Sequence, residues 1–167
     1  MRRLAFAALC AAALGGCGQA PVEADVATDR DDAAIKEEVA ALVRRWAEAG
    51  ESGRWDELKL LYADEPGFAW IEQGVPRYKD YAAIVAGLDA ARDMALAVDN
   101  EVGAIVVVPV AEDAAALYAE VSSSVRSEEF NYDFDGALSA VAVKRGGAWR
   151  FLQGHLSEPP QEPQNPE

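Results

Sequence analysis

His155 is the only histidine in this 167-residue chain, so it alone can supply an imidazole that titrates near neutral pH. Residues 148–157 carry a period of two, and strict alternation would set His155 on one face with Gln153, Phe151 and Trp149. That mixture of apolar and polar side chains suits the wall of a small-molecule pocket, where His155 could act as a general base. The alternative is a histidine that hydrogen-bonds a neighbouring carbonyl near the end of a strand. Asp133 and Asp135 alternate beside Tyr132, and a carboxylate buried against an apolar ligand gains the raised pKa that proton transfer needs. Acids at a hairpin end can equally be solvated. Arg126 closes the run Tyr118, Glu120, Ser122, Ser124, and its forked guanidinium could clamp a substrate carboxylate. That polar face could also be the solvent-facing or dimer-facing side of an antiparallel sheet.

Four aromatic residues, Trp46, Tyr62, Trp70 and Tyr81, could form a binding box, although their spacing first of all fits a core. One histidine cannot build a histidine-rich metal site, and no metal ion or cofactor is expected. Phosphate-binding glycine loops, Cys-x-x-Cys pairs, a flanked Ser-His-Asp set and an EF-hand are missing from the sequence, which weakens the case for an enzyme.

The elements that would position these residues are legible from periodicity. Ile35, Val39, Leu42, Trp46 and Ala49 recur at helical spacing, with Asp31 or Asp32 available as a cap and Gly50 and Gly53 suited to the end. A second short helix from about residue 52 carries Trp55, Leu58, Leu61 and Tyr62; a third, over residues 80–92, aligns Tyr81, Ile84, Val85 and Leu88. Between them, residues 67–72 form a strand with Phe68 and Trp70 on one face, and Gly74 turns the chain into residues 75–77. Four longer strands follow at about 94–110, 114–127, 131–145 and 148–157, separated by turns at Glu112-Asp113, around residues 127–129 and at Gly146-Gly147. The order predicts one α+β domain, with helices gathered on one face of a largely antiparallel, strongly curved sheet.

The two ends differ from this domain. Arg2 and Arg3 precede an uncharged apolar run over residues 4–14, too short to span a bilayer but laid out as a signal peptide. Leu14-Gly15-Gly16-Cys17 resembles the bacterial lipobox, which implies a signal peptide over 1–16 and a lipid on Cys17. Cys10 lies in the segment that would be removed, so the mature chain would have no disulfide to form. Residues 17–31 are expected to be a lipidated, flexible tether and residues 158–167, rich in Pro, Glu, Gln and Asn, a disordered tail. The domain is placed at 32–157.

The formal charge of −14 would repel phosphate backbones and anionic lipid surfaces, so nucleic acid is excluded as a partner and membrane attachment falls to the anchor. A bacterial cell envelope is the expected location. Gly18, not aspartate, follows Cys17, which favours the outer membrane facing the periplasm in a Gram-negative host.

The first helix with its tryptophan, the Gly53-Arg54-Trp55-Asp56-Glu57-Leu58 run and the closing Trp149-Arg150-Phe151-Leu152-Gln153-Gly154-His155-Leu156-Ser157 resemble the nuclear-transport-factor-2-like superfamily, in its SnoaL-like and ketosteroid-isomerase-like branches. The resemblance covers residues 33–157 and implies a cone-shaped (cystatin-like) fold around a pocket, often in a homodimer. Relatives include isomerases, dehydratases, cyclases and assembly domains, so the fold alone does not select an activity. The leading expectation is a membrane-tethered, non-catalytic binding or assembly domain that holds a small apolar ligand or a protein partner. The alternative is an isomerase, dehydratase or cyclase that works by general acid/base catalysis. Its catalytic groups would be His155 or Asp133, and its pocket would be lined by Trp46, Tyr62, Trp70, Tyr81, Tyr118, Arg126 and Gln153.

Overall fold

Asp31 starts the first helix: its Oδ1 accepts the backbone N–H of Ala34 at 2.9 Å, satisfying one of the donors a helix N-terminus leaves unpaired. The computed structural model describes residues 31–128 and 131–159. Helix α1 (Asp32–Glu51) buries Ile35, Val39, Leu42 and Val43 and ends just before Gly53, whose φ of +60° suits glycine. Helix α2 (Trp55–Leu60) is short and leads into the buried Leu61 and Tyr62. Strands β1 (Ala69–Glu72) and β2 (Val75–Tyr78) form a hairpin, and helix α3 (Tyr81–Asp93) follows, capped by the Asp80 carboxylate on Ala83 N at 2.8 Å. Four long strands complete the domain: β3 (Ala97–Ala111), β4 (Ala114–Arg126), β5 (Asn131–Arg145) and β6 (Ala148–Ser157).

The strands form a six-stranded sheet in the order β2-β1-β6-β5-β4-β3. Along β4, Ala115, Leu117, Ala119 and Val121 are buried while the residues between them are not, so one face meets the helices and the other does not. Phe151, Leu138, Val39 and Val43 are essentially inaccessible at the centre of the core. Polar ties fasten the layers at the rim. Glu38 on α1 accepts Lys144 Nζ at 2.6 Å and Trp149 Nε1 at 2.7 Å, and Lys59 on α2 reaches Asp89 on α3 at 2.7 Å.

The element order and the turns match the expectation from sequence, but the cone does not. The sheet is open and mixed: β1 runs parallel to β6, pairing Trp70 with Gly154, and the edge strands β2 and β3 have the other four strands between them. A sheet closes only when its two edges pair. The four-residue β2 and the long β3 do not, so the helices cover a sheet that is neither closed nor strongly curved.

The expected signal peptide over 1–16, Cys17 with the tether up to Arg30, and the tail from residue 160 onward lie outside the described residues. Glu158, at the start of the expected tail, donates its backbone N–H to Gln73 Oε1 at 3.1 Å, fastening the end of β6 to the hairpin turn.

Candidate functional site

A cavity of about 580 Å³ lies between the three helices and the covered face of the sheet, within the range of small-molecule sites. Trp46 and Gly50 of α1, Tyr62 after α2, Trp70 and Glu72 of β1, and Ile84 and Leu88 of α3 form much of its wall. The rest comes from the strands, including Asn100 of β3, Ser123 of β4 and Phe134 of β5.

An aromatic cluster builds one end. The Tyr62 and Trp70 rings meet edge to face with centroids 5.3 Å apart; Trp70 also lies 6.2 Å from Trp46 and 5.8 Å from Phe151. Gly154 makes room for this arrangement, since a Cβ there would come within 2.1 Å of the Trp70 ring. Trp46 Nε1 donates to the Tyr62 hydroxyl at 2.9 Å. Tyr62 is 4% exposed, and burial pushes its phenol well above the ordinary range, against the smaller opposing effect of the Trp46 bond. The hydroxyl therefore keeps its proton, and that proton has no acceptor among the described residues.

Glu72 brings a carboxyl group to the same cavity. Burial raises its pKa above the usual carboxylate range, and Arg77, whose Nε is 3.9 Å from Glu72 Oε2, opposes that rise. Its side chain stays 40% exposed, so a proton can exchange with solvent while the group faces an apolar space. Its charge is felt at Tyr62, where it adds to the upward shift of the phenol. A third polar feature joins β3 to β4: Ser123 Oγ donates to Asn100 Oδ1 at 2.7 Å, and Asn100 Nδ2 donates to the Ala47 carbonyl at 3.1 Å. Neither Glu72 nor this pair was singled out from sequence. For Glu72 a signal existed: it stands two residues beyond Trp70 and four beyond Phe68, on the face already marked as inward.

The structure divides the sequence-based candidates. Trp46, Tyr62 and Trp70 line the cavity together. Tyr81 stands apart at the start of α3, its hydroxyl donating to the Lys59 carbonyl at 3.2 Å. His155, Gln153 and Tyr118 are on the uncovered face. The alternation that joined His155 and Gln153 to Phe151 and Trp149 breaks at a bulge: Ala142 pairs with Phe151, but Val141 pairs with Gln153, so Leu152 is an extra residue. Phe151 and Trp149 consequently point into the core, while His155 sits opposite Ser139, with its Nε2 buried and without a hydrogen-bond partner. Gln153 Nε2 donates to the Gly67 carbonyl at 3.2 Å, and Tyr118 is 50% exposed. Arg126 pairs with Asp133 and donates to the Tyr132 carbonyl at 2.8 Å. The hydrogen bond from Arg126, then that from Ser124, holds the Asp133 carboxyl below its ordinary range, the opposite of a proton-transfer acid. Among the described residues, no group of three or more His, Cys, Asp or Glu side chains is placed to hold a metal ion.

Fold and site together define an α+β domain with an apolar, carboxyl-bearing cavity under three helices. The chain belongs to the SnoaL-like domain family, whose model matches residues 39–162. No protein of curated function matches it. Among solved structures, the fold is similar to a Streptomyces avermitilis protein of the nuclear-transport-factor-2-like family provisionally assigned as a dehydratase, with TM-score 0.67 and 14% identity over 77% of this chain and 99% of that one. A Novosphingobium aromaticivorans protein provisionally assigned as a scytalone dehydratase gives TM-score 0.66 and 15% identity over 74% of this chain and 83% of that one. A Rhodospirillum rubrum nuclear-transport-factor-2-like protein of unknown function in nutrient uptake gives 0.60 and 18% over 71% and 96%. At these identities the likeness is one of fold.

Proposed function

We propose that the cavity carries general acid/base chemistry of the isomerase, dehydratase or cyclase type on a small, largely apolar molecule, with Glu72 moving the proton. The observation that carries this reading is the Glu72 carboxyl, raised by burial and facing the same 580 Å³ cavity as the uncommitted Tyr62 proton. A raised carboxyl is a stronger base when ionised than an ordinary one and is more readily reprotonated near neutrality. In the elementary step, Glu72 takes a proton from carbon next to a carbonyl and the electron pair moves to the carbonyl oxygen. Tyr62 donates to the oxyanion that forms, and the proton then returns to the same or another carbon. Two structural neighbours provisionally assigned as dehydratases are in keeping with this class of reaction.

Exchange of the α-hydrogens of tetralone for deuterium, followed by NMR, reads that step without requiring the natural substrate. Saturable exchange by the wild-type protein, lowered about a hundredfold or more in Glu72→Gln, is the expected result. Equal exchange by both proteins would remove Glu72 from the chemistry. Saturable binding with no exchange would assign the cavity to a non-catalytic binding role instead.

The same reading places the domain in a homodimer at the bacterial cell envelope. The uncovered sheet face exposes Val106, Val108, Val110, Tyr118 and Val141, an apolar surface of the kind that second copies cover. Cys17 would carry the lipid. No helix among the described residues is long and apolar enough to cross a membrane, so attachment in this reading depends on Cys17. Membrane association that persists in Cys17→Ser would refute it.

A further inference from the structure

A second pocket, of about 380 Å³, meets the larger cavity only at Tyr62, which lines both. It forms where the chain leaving α2 lies along β6: Phe151 donates its backbone N–H to the Leu61 carbonyl at 2.8 Å, and Ala63 donates to the Phe151 carbonyl at 2.9 Å. That docking sets Leu60, Asp64 and Glu65 beside Arg150 of β6, with Arg145 and Tyr81 completing the wall.

Arg150 is out of keeping with the rest of the chain. Acidic residues outnumber basic ones 29 to 15, and every other described arginine is ion-paired. Arg150 instead donates Nε to the Leu60 carbonyl and Nη1 to the Arg145 carbonyl, each at 3.2 Å. Those two bonds fix the plane of the guanidinium but leave its charge unanswered, and Nη2 has no acceptor among the described residues. Arg145 does not share this condition. Its fork closes on Glu65 at 3.0 and 3.1 Å and its Nη1 reaches Asp113 at 3.1 Å, so Glu65 and Arg145 cancel. Asp64 has no cationic partner among the described residues, although it lines the same pocket as Arg150 and no ion pair joins the two. One positive and one negative group therefore face a shared space without meeting. Leu60, which is exposed, Ala63 and the ring of Tyr81 supply apolar surface, the Tyr81 hydroxyl being committed to the Lys59 carbonyl.

From this we infer that the second pocket binds a free α-amino acid with an apolar side chain, its carboxylate on the Arg150 fork and its ammonium on Asp64. A planar guanidinium held in place matches the two oxygens of a carboxylate. A simple anion would leave Asp64 unanswered and be repelled by it, and a simple cation would meet Arg150 in the same way. A zwitterion answers both. The site is separate from the acid/base chemistry proposed for the larger cavity.

Isothermal titration calorimetry with leucine, N-acetyl-leucine and leucinamide tests the assignment, since each of the last two lacks one charge. The wild-type protein is expected to bind leucine more tightly than either. Asp64→Asn, a change at an exposed residue, should weaken leucine about tenfold and spare N-acetyl-leucine, as expected for one charge-assisted hydrogen bond. Arg150→Gln should weaken leucine and N-acetyl-leucine by a similar or larger factor and spare leucinamide. Where Arg150→Gln does not fold, Asp64→Asn alone decides. Leucine should bind equally well when tetralone saturates the larger cavity. The inference is overturned by the absence of saturable leucine binding, by its loss in the presence of tetralone, or by N-acetyl-leucine binding the wild type as tightly as leucine, which would reduce the pocket to an anion site.

Discussion

Replacing Gly154 with alanine tests the packing that shapes the cavity. The added Cβ would lie 2.1, 2.4 and 2.8 Å from Cζ3, Cε3 and Cη2 of Trp70, whereas carbon atoms pack at about 3.5–4.0 Å. Relief requires the ring to move by roughly 1–1.5 Å on that spacing. Trp70 is 3% exposed, with Tyr62, Phe151 and Trp46 around it at centroid distances of 5.3, 5.8 and 6.2 Å, so the space it can enter without displacing another ring is the cavity. Overpacking a close-packed core costs about 1–3 kcal/mol, and a contact this short belongs at the upper end. For a domain of this size, about 3 kcal/mol lowers Tm by roughly 10 °C. Differential scanning calorimetry measures the shift, and fluorescence quenching by tetralone reports the smaller cavity. Adding Trp70→Phe to Gly154→Ala should recover part of the loss, a coupling that a double-mutant cycle isolates. A Gly154→Ala protein with unchanged Tm and unchanged ligand binding would refute the account of why glycine stands there.

Glu72→Gln should change the pH dependence of stability as well as activity. Because burial raises the Glu72 pKa, the folded state binds its proton more tightly than the unfolded state, so the wild type loses stability as pH rises from the ordinary value of 4.5 through the raised one. With the side chain 40% exposed the effect should be under about 1 kcal/mol, and urea unfolding from acid to neutral pH should show a smaller decline in Glu72→Gln. Glu38→Ala removes the acceptor of Trp149 Nε1 and Lys144 Nζ, and should lower stability by about 1–2 kcal/mol in urea unfolding. Its pKa is lowered, first by the Lys144 hydrogen bond and then by that of Trp149. Its contribution is therefore present above pH 4.5 and lost as pH falls through the lowered folded value, so wild type and Glu38→Ala should converge in acid. Val108→Asp places a charge on a residue 57% exposed on the uncovered sheet face; sedimentation should show a monomer with unchanged Tm at low concentration, and an intact dimer would move the interface elsewhere.

How much of the site could be read in advance follows from where local chemistry decides and where packing does. Asp31 and Asp80 cap helices because a carboxylate two to three residues ahead of unpaired N–H groups is a local arrangement. Gly146 and Gly147 turn the chain because their φ values, +59° and +80°, are open to glycine. Trp46, Tyr62 and Trp70 were recognisable as inward by helical and strand spacing. Helix and strand order, boundaries within a few residues and part of the cavity wall were thus encoded locally.

The remaining features depend on contacts between distant segments. One extra residue at Leu152 reverses the alternation of β6, and this alone sends Phe151 into the core and His155 to the other face. The bulge exists because β5 pairs across it, which no spacing within β6 reveals. Whether the sheet closes depended likewise on β2 and β3 meeting, and their positions at opposite edges keep it open. Ser123 and Asn100 gain their meaning from an α1 carbonyl more than 50 residues away from Asn100, at Ala47, which fixes the direction of each hydrogen bond. From the sequence alone came the elements and the histidine, arginine and aspartate that drew attention first. Tertiary structure alone brings a glutamate at the end of a four-residue strand to the cavity wall, where burial raises its carboxyl.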